Sequence, residues 1–235
     1  MKDLLENLAS PNSEIRESAL AKLSDLLEQG CNEKDLEIVK ERSLQLLEHP
    51  EIQARTFGVL ALEMLVRYER LQDSNINEKV ISWYLQETDL RGYAREVGWL
   101  HAVAHGADYF GTCLRKDAVT SMTVVDLLVK RIMRSEEAWS HMEDARVARV
   151  LSLALQKEPD VFDSFIEKSK VALETLHSGE RFGAQHNFRS VMLSLHFALL
   201  SSGMFSSSKL ESLMAFQHDM TPYLFEKFSQ GNQES

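Results

Sequence analysis

Cysteine, proline and glycine are all scarce in this chain: 2, 4 and 10 of 235 residues. Cys31 and Cys113 stand alone, with no CxxC pair and no even ladder of cysteines. That argues against a disulfide framework or a thiolate metal cluster and points to a reducing compartment. So few Gly and Pro cannot supply the many tight turns of a β-sandwich. A composition rich in Leu, Glu, Ala and Lys favours helix instead.

Long apolar runs are missing too. The longest, VMLSLHFALL from Val191 to Leu200, is far short of the roughly 20 residues that a bilayer span needs. The opening stretch MKDLLENLASPNSEIRES is too acidic and too interrupted for a secretory or organellar signal. A soluble, cytoplasmic protein without membrane partners is expected. Positive charge is in deficit as well, with 26 Lys and Arg against 36 Asp and Glu and a net charge of −10. The most basic stretch, VKRIMR (Val129 to Arg134), is short. Nucleic acid is therefore an improbable partner, because a phosphate backbone needs a positive stripe. Walker, Rossmann and serine-hydrolase fingerprints (GxxxxGK[ST], GxGxxG and GxSxG) do not occur.

What the chain does have is one helical pattern after another. In EIRESALAKLSDLLEQG, residues Ile15, Ala19, Leu20, Leu23, Leu26 and Leu27 share a face that stops at Gly30. Ser13 is well placed as its N-cap. Further helices are expected over Glu33–Glu48, Glu51–Leu71, Asn77–Gln86 and Asp89–Arg115. Ala118–Arg134, Glu143–Gln156, Asp160–Leu176 and His186–Ser201 follow, then two short helices within Ser207–Phe228 and a frayed tail over 229–235. The helix starts around Arg16, Arg55 and Arg95 recur at about 40 residues, the period of HEAT and armadillo hairpins. The expectation is a single all-α domain over 1–235, a short α-solenoid of about five helical hairpins with no competing strand signal. In such stacks Arg16, Arg55 and Arg146 serve as braces against neighbouring repeats.

One segment breaks the plain pattern: DLRGYAREVGWLHAVAHGAD, from Asp89 to Asp108. On a helical wheel of about 100° per residue, His101, His105, Asp108 and Thr112 form one polar stripe. Trp99, Leu100, Val103, Ala107, Phe110 and Leu114 fall on the opposite, apolar half. Ala94, Gly98, Ala104 and Gly106 border the stripe and let a backbone or a ligand come close. Four readings fit these residue types. His101, His105 and Asp108 have the spacing to chelate a divalent transition metal, or to shuttle protons with Asp108 orienting an imidazole. The stripe with Asp89, Arg91, Trp99 and Arg146 equally suits a recognition surface for a protein, peptide or small polar ligand. It also suits a buried polar joint in which these groups satisfy one another. Zinc-protease chemistry is excluded because Ala102, not Glu, follows His101. His186 and Asn187 read as a helix start, His196 as a core or interface residue, and His141 as a solvated loop residue.

The same residues carry a resemblance. RTFGVLAL (from Arg55), ETDLRGYAREVGWLHAVAHGAD (from Glu87) and EDARVARVL (from Glu143) are similar to the domain of unknown function 2785 family, found mainly in Gram-positive bacteria. Its pattern R-S-F, D-x-R-G-Y, G-W-x-H-x-x-A-H-x-A-D and E-x-x-R falls on Arg55 and Phe57, on Asp89 to Tyr93, on Gly98 to Asp108, and on Glu143 and Arg146. Thr56 replaces the serine. The resemblance spans about Arg55 to Leu155 and marks Asp89–Asp108 as a signature. It implies no activity, so reaction, oligomeric state and any cofactor stay open.

Overall fold

The computed structural model describes residues 1–70, 74–176 and 182–221. Eleven helices occur among them: α1 (Lys2–Asn7), α2 (Ser13–Gln29), α3 (Glu33–Leu46), α4 (Ile52–Arg67), α5 (Ser74–Gln86), α6 (Ala102–Arg115), α7 (Ser121–Met133), α8 (Glu143–Lys157), α9 (Val161–Leu176), α10 (Phe182–Ser202) and α11 (Ser207–Met220). Between α5 and α6 lie two short antiparallel strands, β1 (Tyr93–Ala94) and β2 (Gly98–Trp99). The class is all-α.

Two rows of helices build the molecule. Helices α2, α4, α6, α8 and α10 touch one another in succession, and α5, α7 and α9 do the same alongside them. One apolar cluster runs from Leu5 to Met220 through both rows. In α2 it takes Ala19, Leu23 and Leu27, whereas Ile15 stays 43% exposed. Asn12 rather than Ser13 caps α2, its Oδ1 accepting from the backbone N–H of Glu14 and Ile15. No helix among the described residues is long and apolar enough to cross a membrane.

Long basic side chains satisfy the carbonyls that helix ends leave unpaired. Arg131 of α7, 2% exposed, donates to the Tyr84 and Glu87 carbonyls at the end of α5. Lys157 of α8 donates to the Leu114 carbonyl at the end of α6. Arg16 and Arg55 share one device. Arg16 donates to the carbonyls of Ser10 and Pro11, and Arg55 to those of His49 and Pro50, in each case six and five residues back. Proline at the fifth position back in both marks this clamp in the sequence.

The single helix expected over Asp89–Arg115 is not there. The chain folds into the β1–β2 hairpin first, and α6 starts only at Ala102. Gly98, at φ +81°, is the reason. It takes the left-handed position after the Arg95–Val97 loop, which side chains resist and which cannot lie inside a right-handed helix. α10 also begins earlier than expected, at Phe182, so Asn187 is an interior residue and not a cap. The second tail helix to Phe228 and the fraying over 229–235 lie outside the described residues.

Candidate functional site

The hairpin is fastened from three sides. Tyr93 pairs with Trp99 and Ala94 with Gly98, and the Leu100 N–H donates to the Gly92 carbonyl at 2.9 Å. Arg16 of α2, 1% exposed, donates to the Val97 carbonyl and so ties the tip of the loop to α2. Gly92 lies hard against α8: a Cβ there would sit 2.2 Å from Glu143 Oε1 and 2.5 Å from His141 Cβ. Only glycine allows that approach.

Glu143, the first residue of α8 and fully buried, is the latch. Its Oε1 accepts from His101 Nδ1 at 3.0 Å, and its Oε2 from the His141 backbone N–H at 2.8 Å. Burial alone would raise this carboxyl, but the hydrogen bonds from His101 and the backbone more than offset it and hold it below the usual carboxylate range. His101 and Met142, the N-caps of α6 and α8, both adopt left-handed backbone with φ of 51° and 67°. Non-glycine residues pay about 1–3 kcal/mol each for such a conformation, and its cost is met where a site is over-determined.

Above this latch the rings gather. Trp99 stacks on His101 at 4.8 Å between centroids and 7° between planes, and meets Tyr93 edge-on at 5.0 Å. His141 closes the group at 5.8 Å from Trp99. Trp99 is 52% exposed and Tyr93 44%. The wheel therefore misplaced Trp99: it belongs to the hairpin and not to the apolar face of α6, while Leu100, Val103, Ala107, Phe110 and Leu114 are buried as expected. His141 is likewise a half-buried member of the ring cluster and not a solvated loop residue. Asn187 holds the loop that carries it, accepting from the Trp139 N–H and donating to the Glu137 carbonyl.

Below the rings, His105, Asp108 and Thr112 line up on α6 as the wheel predicts. They face a cavity of about 580 Å³ between α4, α6 and α8. Asp108 accepts from Arg146 and, at 2.6 Å, from Arg149. Glu63 of α4, 3% exposed, binds Arg67 through both oxygens and accepts from Thr112 Oγ1 at 2.5 Å. The His105 and His101 rings are 5.8 Å apart, so the cavity and the ring cluster adjoin. No group of three or more His, Cys, Asp or Glu with metal-holding geometry occurs among the described residues. Cys113 is buried, and burial pushes its thiol up to about 12, which suits packing and not nucleophilic attack.

Asp89 and Arg91 do not join the stripe. They bind each other, Arg91 donating through Nε and Nη2 at 2.8 and 2.7 Å, and the pair holds the Asp89 carboxyl low. The neighbouring acid that matters is Glu87. It binds Arg55 through both oxygens and accepts from the Thr88 and Asp89 N–H groups. A wider groove of about 1050 Å³ runs past this pair.

His105 makes the site sensitive to acid. Burial first, then the charges of Arg146 and His101, pull its imidazole down to about 3. In the unfolded chain it takes up a proton near the ordinary value of about 6.5. Between those values protons favour the unfolded state, so stability falls as the pH drops, by at most about 1.4 kcal/mol per unit. Urea unfolding at pH 7 and pH 5 is expected to show a drop about 2 kcal/mol larger in the wild type than in His105→Gln. Equal drops in both would refute the buried neutral imidazole.

Among known proteins, the family model described as "Protein of unknown function (DUF2785)" matches residues 42–197. No curated protein matches the chain, and no solved structure does. The match takes in α4 to α9, the hairpin, the latch and the cavity, along with the C-terminal end of α3 and most of α10. The chain belongs to the DUF2785 family of proteins of unknown function.

Proposed function

We propose that this is a cytoplasmic binding or scaffolding protein built as a short HEAT-like solenoid, with the hairpin face as its recognition surface. The serial contacts within two helix rows and the repeated arginine clamp support the solenoid reading. One observation carries the functional reading. Two large aromatic side chains, Tyr93 and Trp99, stand about half exposed on a hairpin that interrupts the helix rows and is held by a buried acid, a buried arginine and two left-handed caps. Exposed aromatics on a rigid mount are what binding hot spots require, since little side-chain freedom is lost on contact. Trp99, His101, His105, Asp108 and Arg146 form the surface together with His141. Asp89 and Arg91 shape the loop that leads into it. The partner is a protein, a peptide or a small polar ligand.

Metal-dependent catalysis on His101, His105 and Asp108 is the alternative, and less supports it. Nδ1 of His101 is engaged by Glu143, and Asp108 by two guanidiniums. Stoichiometric transition metal in protein purified without chelator, lost in His101→Ala and His105→Ala, would favour it.

The recognition reading is tested with a Tyr93→Ala/Trp99→Ala variant. Both rings project from the packed body, so its stability is expected within about 1 kcal/mol of wild type. Wild-type protein incubated with lysate of its source organism should retain a defined protein or small molecule by native mass spectrometry, and the variant should lose it. Identical retention by both would overturn the reading.

A further inference from the structure

The cavity between α4, α6 and α8 holds more positive charge than its own carboxylates neutralise. Arg67, Arg115, Lys116, Arg146 and Arg149 line it, against Glu63 and Asp108. Lys116 binds Glu69 at the rim, which leaves four guanidiniums facing two carboxylates. Arg67 takes Glu63, while Arg146 and Arg149 share the one Asp108. Arg115 pairs with none of the described carboxylates. Burial and then the like charge of Arg149 lower its basicity, Glu63 opposing and Arg67 adding to the shift, and burial followed by Arg149 does the same to Arg146. In a chain of net charge −10 such crowding is not a by-product of composition. Like charges this close repel in a partly buried site unless an anion enters.

We propose that this cavity binds a phosphate dianion, either free or as the terminal group of a small molecule, with Arg115 and Arg149 as its principal contacts. A surplus of two positive charges matches a phosphate dianion. Planar guanidinium forks bind pairs of phosphate oxygens with better geometry than an ammonium does. The volume of about 580 Å³ exceeds what a bare phosphate fills and lies in the range of small-molecule clefts. Arg115 and Arg149 are exposed enough for a ligand to reach them and rest on two different helices, so the oxygens are gripped from both sides. The inference rests on reading this face as the recognition surface, and it fails separately because it leaves Tyr93 and Trp99 untouched.

The test is calorimetric titration of the full chain with orthophosphate, with glucose 6-phosphate and with glucose, at pH 7.5 and constant ionic strength. One saturable site is expected for at least one phosphate probe and none for glucose. Arg115→Gln and Arg149→Gln should each weaken binding about tenfold or more, whereas Arg42→Gln, which pairs with Glu6 elsewhere, should not. Tighter binding of the ester assigns the site to a phosphorylated small molecule; equal or tighter binding of orthophosphate assigns it to the free ion. No saturable binding of either probe, or wild-type affinity in both arginine variants with unchanged circular dichroism, overturns the proposal. If phosphate binding fails while the Tyr93→Ala/Trp99→Ala variant still loses its partner, only the anion assignment falls.

Discussion

Glu143→Ala is expected to lower the free energy of unfolding by about 2–4 kcal/mol, a large loss for one side chain on a helix N-terminus. The carboxylate is fully buried and serves two donors, His101 Nδ1 and the His141 N–H, that no other carboxylate among the described residues reaches. Removing it leaves both donors without an acceptor next to the void. The left-handed His101 and Met142 caps also lose the group that holds them in place. Glu143→Gln keeps an acceptor oxygen and should recover part of the loss. Urea unfolding at pH 7 measures both. Native tryptophan emission reports the same region, since Trp99 stacks on His101 and Trp139 lies in the loop that leads into α8. A Glu143→Ala protein as stable as wild type would show that the hairpin does not depend on the latch.

Glu87→Ala should cost about 3–5 kcal/mol, because it strands a guanidinium that is largely out of water. The side chains of Arg55 and Glu87 are 17% and 4% exposed, and they meet through two bonds of 2.6 and 2.9 Å. Glu87 also caps the loop that opens the hairpin region, through the N–H groups of Thr88 and Asp89. A cycle with Arg55→Leu and the double variant separates these roles. The coupling energy should exceed about 1.5 kcal/mol, and the double variant should be more stable than Glu87→Ala alone. Additive effects would mean that the pair is incidental to the fold.

The helices were legible because each buries a stripe at period 3.6, as Leu23 and Leu27 or Phe110 and Leu114 do. The hairpin was not. Strands of two residues have no alternation to read, and the apolar period of Leu100, Val103 and Ala107 runs back through Trp99 as though one helix continued. The signal that could have broken it is Gly98 after a polar loop, with Tyr93 and Trp99 at paired positions. On the site, spacing alone put His105, Asp108 and Thr112 on one face, since all three lie within α6. Their partners Glu63 and Arg149 come from other helices, 49 and 41 residues away, distances that only tertiary packing closes. Trp99 was expected on the apolar face of one long helix, whereas it stands half exposed on the hairpin. Asp89 and Arg91 carried the signature, yet their charges cancel locally.

The central claim, that the hairpin face is a recognition surface, is tested most directly by placing the photoreactive residue p-benzoylphenylalanine at Trp99 in living cells. Val171, 61% exposed on α9, serves as the control position. The account predicts a discrete adduct of defined mass from position 99 and none from position 171. No adduct at 99, or the same set of products from both positions, would contradict it.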